Sequence, residues 1–412
     1  MARFSSRLLS EVYDKMTAFP FSYPVFVMAK PIGAACNMRC EYCYYLEKQH
    51  TLSASPTVGM MDDSTLDEFI RQYLDCQTQR EVLFIWHGGE PLLCGIDFFR
   101  KAIFLQQKYA RGRIIDNCIQ TNATLLTDEW CRFLADNRWL VGVSIDGPEH
   151  LHDAFRRMKG GSPSFSRVMH GIELLNNYGV EWNVLATINS VNAKYADECY
   201  TFLRSLGTQF LQFTPVVERH LEDGRLAKCD DETAVFAPFC VSADDFGRFA
   251  CEVFDRWVSG DIGSVFVRLI EDTLANWCGV KPGTCSLADS CGFNVAMESN
   301  GDVYSCDHFT FPEYRLGNIN RNTVTELVYG EAQEMFRQRK LLALPQQCKA
   351  CKWLFTCHGE CPRNRFVANG NDHKLNYLCA GYSQFFTHVA PYMTAMKQLI
   401  TEGKDLPNAL KL

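Results

Sequence analysis

The chain has 412 residues, of which 47% are hydrophobic, and a net charge of −7 from 41 Lys and Arg against 48 Asp and Glu. That length and apolar content suit a large enzyme with a sizeable core in two or more domains. The acidic balance and the lack of basic blocks exclude a general nucleic-acid binder, and no stretch approaches the ~18 continuous apolar residues of a membrane span. The opening MARFSSRLLSEVYDKM has neither a secretory apolar region nor a cleavage site, so a cytoplasmic protein is expected. Its twenty cysteines are then expected as thiolate ligands rather than disulfides.

An N-terminal extension, residues 1–24, precedes the first strand, predicted over Val25–Ile32 in PVFVMAKPI. Leu66, Phe69, Ile70, Tyr73 and Leu74 then recur at helical spacing and predict one apolar helix face. Further strands are expected at Val82–Trp86, Ile114–Gln120, Leu140–Ile145, Trp182–Ile188 and Phe210–Thr214. Thr127 is placed to cap a helix that turns Trp130, Phe133 and Leu134 inward. Six strand-helix repeats over residues 25–260 predict an α/β fold, a partial (β/α)6 parallel barrel with its working loops at the C-terminal ends of the strands.

Cys36, Cys40 and Cys43 sit on the loop leaving the first strand, with C-x3-C-x2-C spacing. Three thiolates leave one coordination position open, which suits a 4Fe-4S cluster with one iron free for a small molecule. Zinc is the competing reading, but zinc folds usually pair two C-x2-C knuckles or add histidines, and no His lies between Cys36 and Cys43. With Tyr42 before the third cysteine, the triplet resembles the radical S-adenosylmethionine (AdoMet) superfamily. HGGEP, after the second strand, resembles the motif by which that superfamily meets the ammonium of AdoMet, through Gly88, Gly89 and Glu90. QTN at 120–122 closes the third strand. SIDGPEHLHDAFR resembles a segment of the same family, which implies Ser144 as a ribose or carboxylate ligand and Arg156 as a clamp for the cofactor's carboxylate. By the same resemblance, Val217 in LQFTPVVE packs on the adenosine.

The C-terminal third carries eight spaced cysteines: Cys285, Cys291, Cys306, Cys348, Cys351, Cys357, Cys361 and Cys379. They suffice for two fully ligated cubanes. The pattern C-x9-G-x4-C, then C-x2-C-x5-C-x3-C, then C resembles the SPASM extension, which implies an iron-sulfur domain over residues 261–390, followed by a tail at 391–412. By the family pattern one cluster takes Cys285, Cys291, Cys306 and Cys361, and the other Cys348, Cys351, Cys357 and Cys379. The remaining nine cysteines are read as packing residues.

HGGEP, QTN, SIDGP, GDVYSCDHF and the spaced cysteines together resemble the anaerobic sulfatase-maturating enzymes across nearly the whole chain. That resemblance implies three 4Fe-4S clusters, AdoMet, and Asp307 as the catalytic base. It also implies oxidation of a Cys or Ser in an unfolded sulfatase, within Cys/Ser-x-Pro-x-Arg, to Cα-formylglycine, with an electron donor of flavodoxin or ferredoxin type. Two other readings remain at this point: a SPASM maturase crosslinking a ribosomal peptide, which shares every ligand without requiring Asp307, and a non-enzymatic zinc-binding scaffold.

Overall fold

In the computed structural model, residues 24–46, 59–370, 372–404 and 406 are described; most of the N-terminal extension and the end of the tail lie outside them. Six strands run parallel: β1 (Phe26–Ala29), β2 (Glu81–Trp86), β3 (Ile114–Thr121), β4 (Leu140–Ser144), β5 (Trp182–Ile188) and β6 (Phe210–Pro215). Five match the sequence reading to within a residue at each end. β1 is shorter than Val25–Ile32, because the chain turns at Lys30, whose carbonyl accepts the Gly33 N–H at 3.1 Å. Between β6 and the next helix lies a short antiparallel pair, β7 (Arg219–His220) with β8 (Val235–Phe236).

Helices cover the parallel sheet. Helix α1 (Asp63–Asp75) is capped by Asp62, whose carboxylate accepts the Thr65 N–H at 2.7 Å. It buries the predicted face of Leu66, Phe69, Ile70, Tyr73 and Leu74, each 0% exposed. The Tyr73 hydroxyl ends in that core and donates to the Val25 and Leu83 carbonyls at 3.0 and 2.9 Å, so its burial leaves no polar group unsatisfied. Thr127 caps α2 (Asp128–Asp136) as read, accepting the Trp130 N–H at 3.3 Å.

The sheet does not stop at six strands. β9 (Phe266–Val267) adds parallel to β6. On the other edge β10 (Asn294–Met297) adds parallel to β1, and β11 (Asp302–Tyr304) and β12 (Arg315–Asn318) continue antiparallel, giving ten strands in one sheet. The C-terminal third is therefore hydrogen-bonded to the strand that feeds the cysteine triplet. A helix over Cys379–Thr401 packs on α3 (Ala243–Val258), with Phe246 against Tyr382 at 4.8 Å between ring centroids. A side chain at Gly381 would collide with the Ala243 carbonyl, so glycine permits the close approach. This helix runs through residue 390 and carries Pro391, which has no backbone N–H to donate, in its interior.

Candidate active site

The parallel strands end at one edge of the sheet, and their loops assemble there. The turn that leaves β1 is seated on HGGEP: Gly89 N–H donates to Gly33 O and Glu90 N–H to Ala35 O, both at 2.8 Å. A side chain at Gly89 would occupy the position of the Ala35 carbonyl, so this glycine lets the cysteine loop dock. Residues 37–41 then run antiparallel to 155–159, with Arg39 N–H to Arg157 O at 2.8 Å, Glu41 N–H to Phe155 O at 3.1 Å and Lys159 N–H to Asn37 O at 3.1 Å. This pairing carries Arg156 to the cysteines. Burial pushes the Cys36 thiol up to about 11 and Cys40 up to about 12, each raised further by another thiol of the triplet, while Arg156 pulls Cys40 the other way. Thiolates in that setting need added positive charge, which bound iron supplies.

Glu90 is fully buried. Its carboxylate accepts from Leu92 N–H at 3.1 Å, the Thr121 hydroxyl at 2.8 Å and Asn122 N–H at 2.8 Å, tying the β2 loop to the end of β3. Burial lifts it to about 7, and among the described residues no Lys, Arg or His forms an ion pair with it. A carboxylate has about four acceptor positions and three are filled, so the residues present fit an ammonium group at the fourth. Ser144 accepts from Gln120 Nε2 at 2.9 Å at the end of β4. Arg156 is buried with its Nε 3.0 Å from Asp146 Oδ1 and its Nη2 donating to Thr187 Oγ1 at 3.4 Å, which leaves part of the guanidinium edge for a carboxylate. Burial opposes that charge, but Asp146, Tyr42 and Cys40 together more than offset it and hold the group cationic. Tyr42 donates its hydroxyl to Asp146 and lies 5.4 Å beneath Arg156, so it braces the pair and has no free polar end. Val217 is buried at the end of the β6 region.

Asp307 follows Cys306 in a single 3-10 turn, Asp307–Phe309. Its two carboxylate oxygens are bonded to Lys30, at the end of β1, and to the hydroxyl of Tyr44, next to Cys43. The same Lys30 is 1% exposed, lies 3.7 Å over the Tyr45 ring and is 4.0 Å from Glu298, to which Tyr45 donates at 2.5 Å. His87 is half-buried nearby, and the loss of solvent around its ring drives it below its ordinary value. Arg363 pairs with Glu218, donates to His308 Nδ1 at 2.7 Å and lies 4.9 Å over the Tyr44 ring. Val217, Glu218, His308, Phe311, Arg363 and Phe366 line an open cavity of about 530 Å³ beside this group. Sequence reasoning named Asp307 as a candidate but not Lys30, Tyr44 or Arg363, which the structure brings beside it. A charged residue closing an apolar strand and a tyrosine beside a cysteine ligand were the available signals.

The eight C-terminal cysteines gather in two sets. Cys348, Cys351, Cys357 and Cys379 line one cavity with Trp353 and Phe386. Cys361 lies in the electrostatic field of Cys285 and Cys306, and Cys306 in that of Cys285 and Cys291. Burial raises the thiols of Cys285, Cys291, Cys306, Cys361, Cys348, Cys357 and Cys379, to about 12 for Cys306 and Cys357, so a cationic centre would stabilise these as thiolates in either set. Of the other nine, Cys131 and Cys199 are core residues, whereas Cys229 and Cys240 donate to the carbonyls of Arg363 and Glu218 at 3.2 and 3.0 Å.

Residues 31–203 match the Radical SAM superfamily and residues 290–352 match SPASM, an iron-sulfur cluster-binding domain. The chain is thus a radical AdoMet enzyme with a SPASM extension. It is 50% identical over 96% of both chains to a serine-type anaerobic sulfatase-maturating enzyme of Bacteroides thetaiotaomicron. A cysteine-type enzyme of Clostridium perfringens is 31% identical over 89% of this chain and 97% of its own. The solved structure of native anSMEcpe with bound AdoMet and Cp18Cys peptide superimposes with a TM-score of 0.81 at 30% identity, covering 92% of this chain and 99% of that one. The chain belongs to the anaerobic sulfatase-maturating enzymes.

Proposed function

We propose that this protein oxidises a Ser or Cys of an unfolded sulfatase, within Cys/Ser-x-Pro-x-Arg, to Cα-formylglycine without oxygen. The position of Asp307 carries the reading: its backbone adjoins Cys306, while its carboxylate is held by Lys30 and Tyr44 from the triplet's own strand and loop. Cys36, Cys40 and Cys43 would hold one 4Fe-4S cluster, with AdoMet against Gly88, Gly89, Glu90, Ser144, Arg156 and Val217 and with Tyr42 bracing the clamp. The quartets Cys285, Cys291, Cys306, Cys361 and Cys348, Cys351, Cys357, Cys379 would hold two more, in a domain over residues 261–390. When bound, these groups supply the 5′-deoxyadenosyl radical that takes a hydrogen from the substrate Cβ and accept the second electron.

Within that frame the chain has three tasks. Asp307 takes the hydroxyl or thiol proton of the substrate. Lys30 holds and aims one oxygen of the base, and Tyr44 fixes its second. The aromatic wall of Tyr44, Tyr45 and the buried residues behind it limits water at a site of radical chemistry. The higher identity to the serine-type relative, 50% against 31%, favours serine as the preferred residue. A low-potential donor of flavodoxin or ferredoxin type would supply the first electron in the cytoplasm; among the described residues no helix is long and apolar enough to cross a membrane. Anaerobic incubation with AdoMet, reductant and Ser and Cys sulfatase peptides tests the reading by mass spectrometry. Loss of two hydrogens from the Ser peptide is expected, and a crosslinked product without aldehyde would contradict it.

A further inference from the structure

Cys357 and Cys361 belong to different quartets, and only His358, Gly359 and Glu360 separate them. All three are left-handed, with φ of 48°, 71° and 52°. For His358 and Glu360 that conformation is strained, and such strain persists only where the surroundings impose it. Arg365 imposes it here. Its Nη2 donates to the His358 and Glu360 carbonyls at 3.1 and 3.0 Å and its Nε to Gly359 O at 2.9 Å. A side chain at Gly359 would strike both Arg365 and Leu344.

The remaining nitrogen of Arg365, Nη1, donates to the Lys340 carbonyl at 2.6 Å. Lys340 is itself 0% exposed, and its ammonium donates to Cys285 O, Ser286 O and Ala288 O at 2.6, 2.8 and 2.5 Å, which is the loop carrying Cys285 and leading to Cys291. The guanidinium of Arg365 acts on Cys348 of one quartet and on Cys361 and Cys291 of the other, and Lys340 acts on Cys285 and Cys291. The facing anion is Glu360, buried and accepting from Asn364 and Asn376 at 3.2 and 2.5 Å. Two full positive charges are costly to bury for the sake of backbone carbonyls that neutral donors would satisfy. They are useful beside clusters on eight thiolates.

We infer that Lys340 and Arg365 form a buried cationic bridge that raises the reduction potentials of the two auxiliary clusters. The inference rests on the proposal that the quartets hold clusters. A cubane on four thiolates is net negative and becomes more so on reduction, so a fixed positive charge beside it favours the reduced form. Both residues act through the clusters as positioning residues. In the reconstituted full chain, potentiometric titration followed by electron paramagnetic resonance reads the effect, with iron and sulfide content measured on the same samples. Lys340→Gln keeps a donor and removes the charge; the reduced-to-oxidised ratio of the cluster on Cys285, Cys291, Cys306 and Cys361 should fall about tenfold at fixed ambient potential, which is about 59 mV for one electron. Lys340→Arg keeps the charge and should titrate like the wild type. Full iron content with an unchanged potential in Lys340→Gln would overturn the bridge. Should that variant fail to take up iron, Lys340→Arg decides: a wild-type potential supports the role of charge, and a tenfold shift refutes it. Wild-type protein without auxiliary clusters would instead refute the cluster assignment itself.

Discussion

Glu90 and Asp146 show how single buried carboxylates set the site. Glu90 carries its charge against full burial, and its value rises from 4.5 to about 7 in the folded protein. A raised carboxyl binds its proton more tightly folded than unfolded, so the contribution of Glu90 to stability is fully present below 4.5 and is lost as pH rises through about 7. In protein without AdoMet, Glu90→Gln should therefore gain on the wild type by about 3 kcal/mol across that window. Thermal melting against pH checks this; parallel profiles would show that Glu90 is ionised throughout. Asp146 has a cationic partner: it is paired with Arg156 and accepts the Thr187 N–H at 2.9 Å. Asp146→Asn leaves a buried guanidinium uncompensated and should cost about 3–5 kcal/mol, read from denaturant unfolding. An effect below ~1 kcal/mol would mean that water already screens the pair.

At the scale of elements, the docking of the cysteine loop on HGGEP is the joint on which the site depends. Gly89→Ala forces the Ala35 carbonyl, and with it Cys36, away from the turn. Such a variant should fold around its intact core yet lose AdoMet binding and iron at the triplet, measured by equilibrium binding and iron analysis; wild-type values for both would remove the joint from the account. Much of this level was legible in the chain. The helix face from Leu66 to Leu74 and the Thr127 cap follow from local spacing and local hydrogen bonds, and the structure has both. What escaped reading was long-range. β10 is four residues long and its partner β1 lies far back in the chain, so neither pairing nor register is encoded near it. Lys30 reads as an ordinary strand end until β10 and the turn after β11 bring Glu298 and Asp307 against it. The resemblance to a family pattern is what assigns the C-terminal cysteines to two sets, whereas the left-handed run and the buried cations between the sets left no pattern to read.

Across the whole molecule, the sheet makes the two cysteine-bearing regions one structure. β1 carries the triplet, β10 leads to Cys306, and they are hydrogen-bonded neighbours. Removing ligands from one quartet should lower iron content and also destabilise the C-terminal region, because ligation contributes to folding. Replacing Cys348 and Cys351 with Ala should reduce bound iron by about one cubane and lower the melting temperature, while undiminished iron would exclude them as ligands. Asp307, in the proposed role, serves as a base between the triplet and the first quartet. The most direct measurement follows formylglycine and 5′-deoxyadenosine together, anaerobically, with a Ser sulfatase peptide, for the wild type and Asp307→Asn. Aldehyde is expected from the wild type and a loss of about 10²- to 10⁴-fold in the variant, with AdoMet cleavage better preserved. Wild-type aldehyde yield from Asp307→Asn would contradict it.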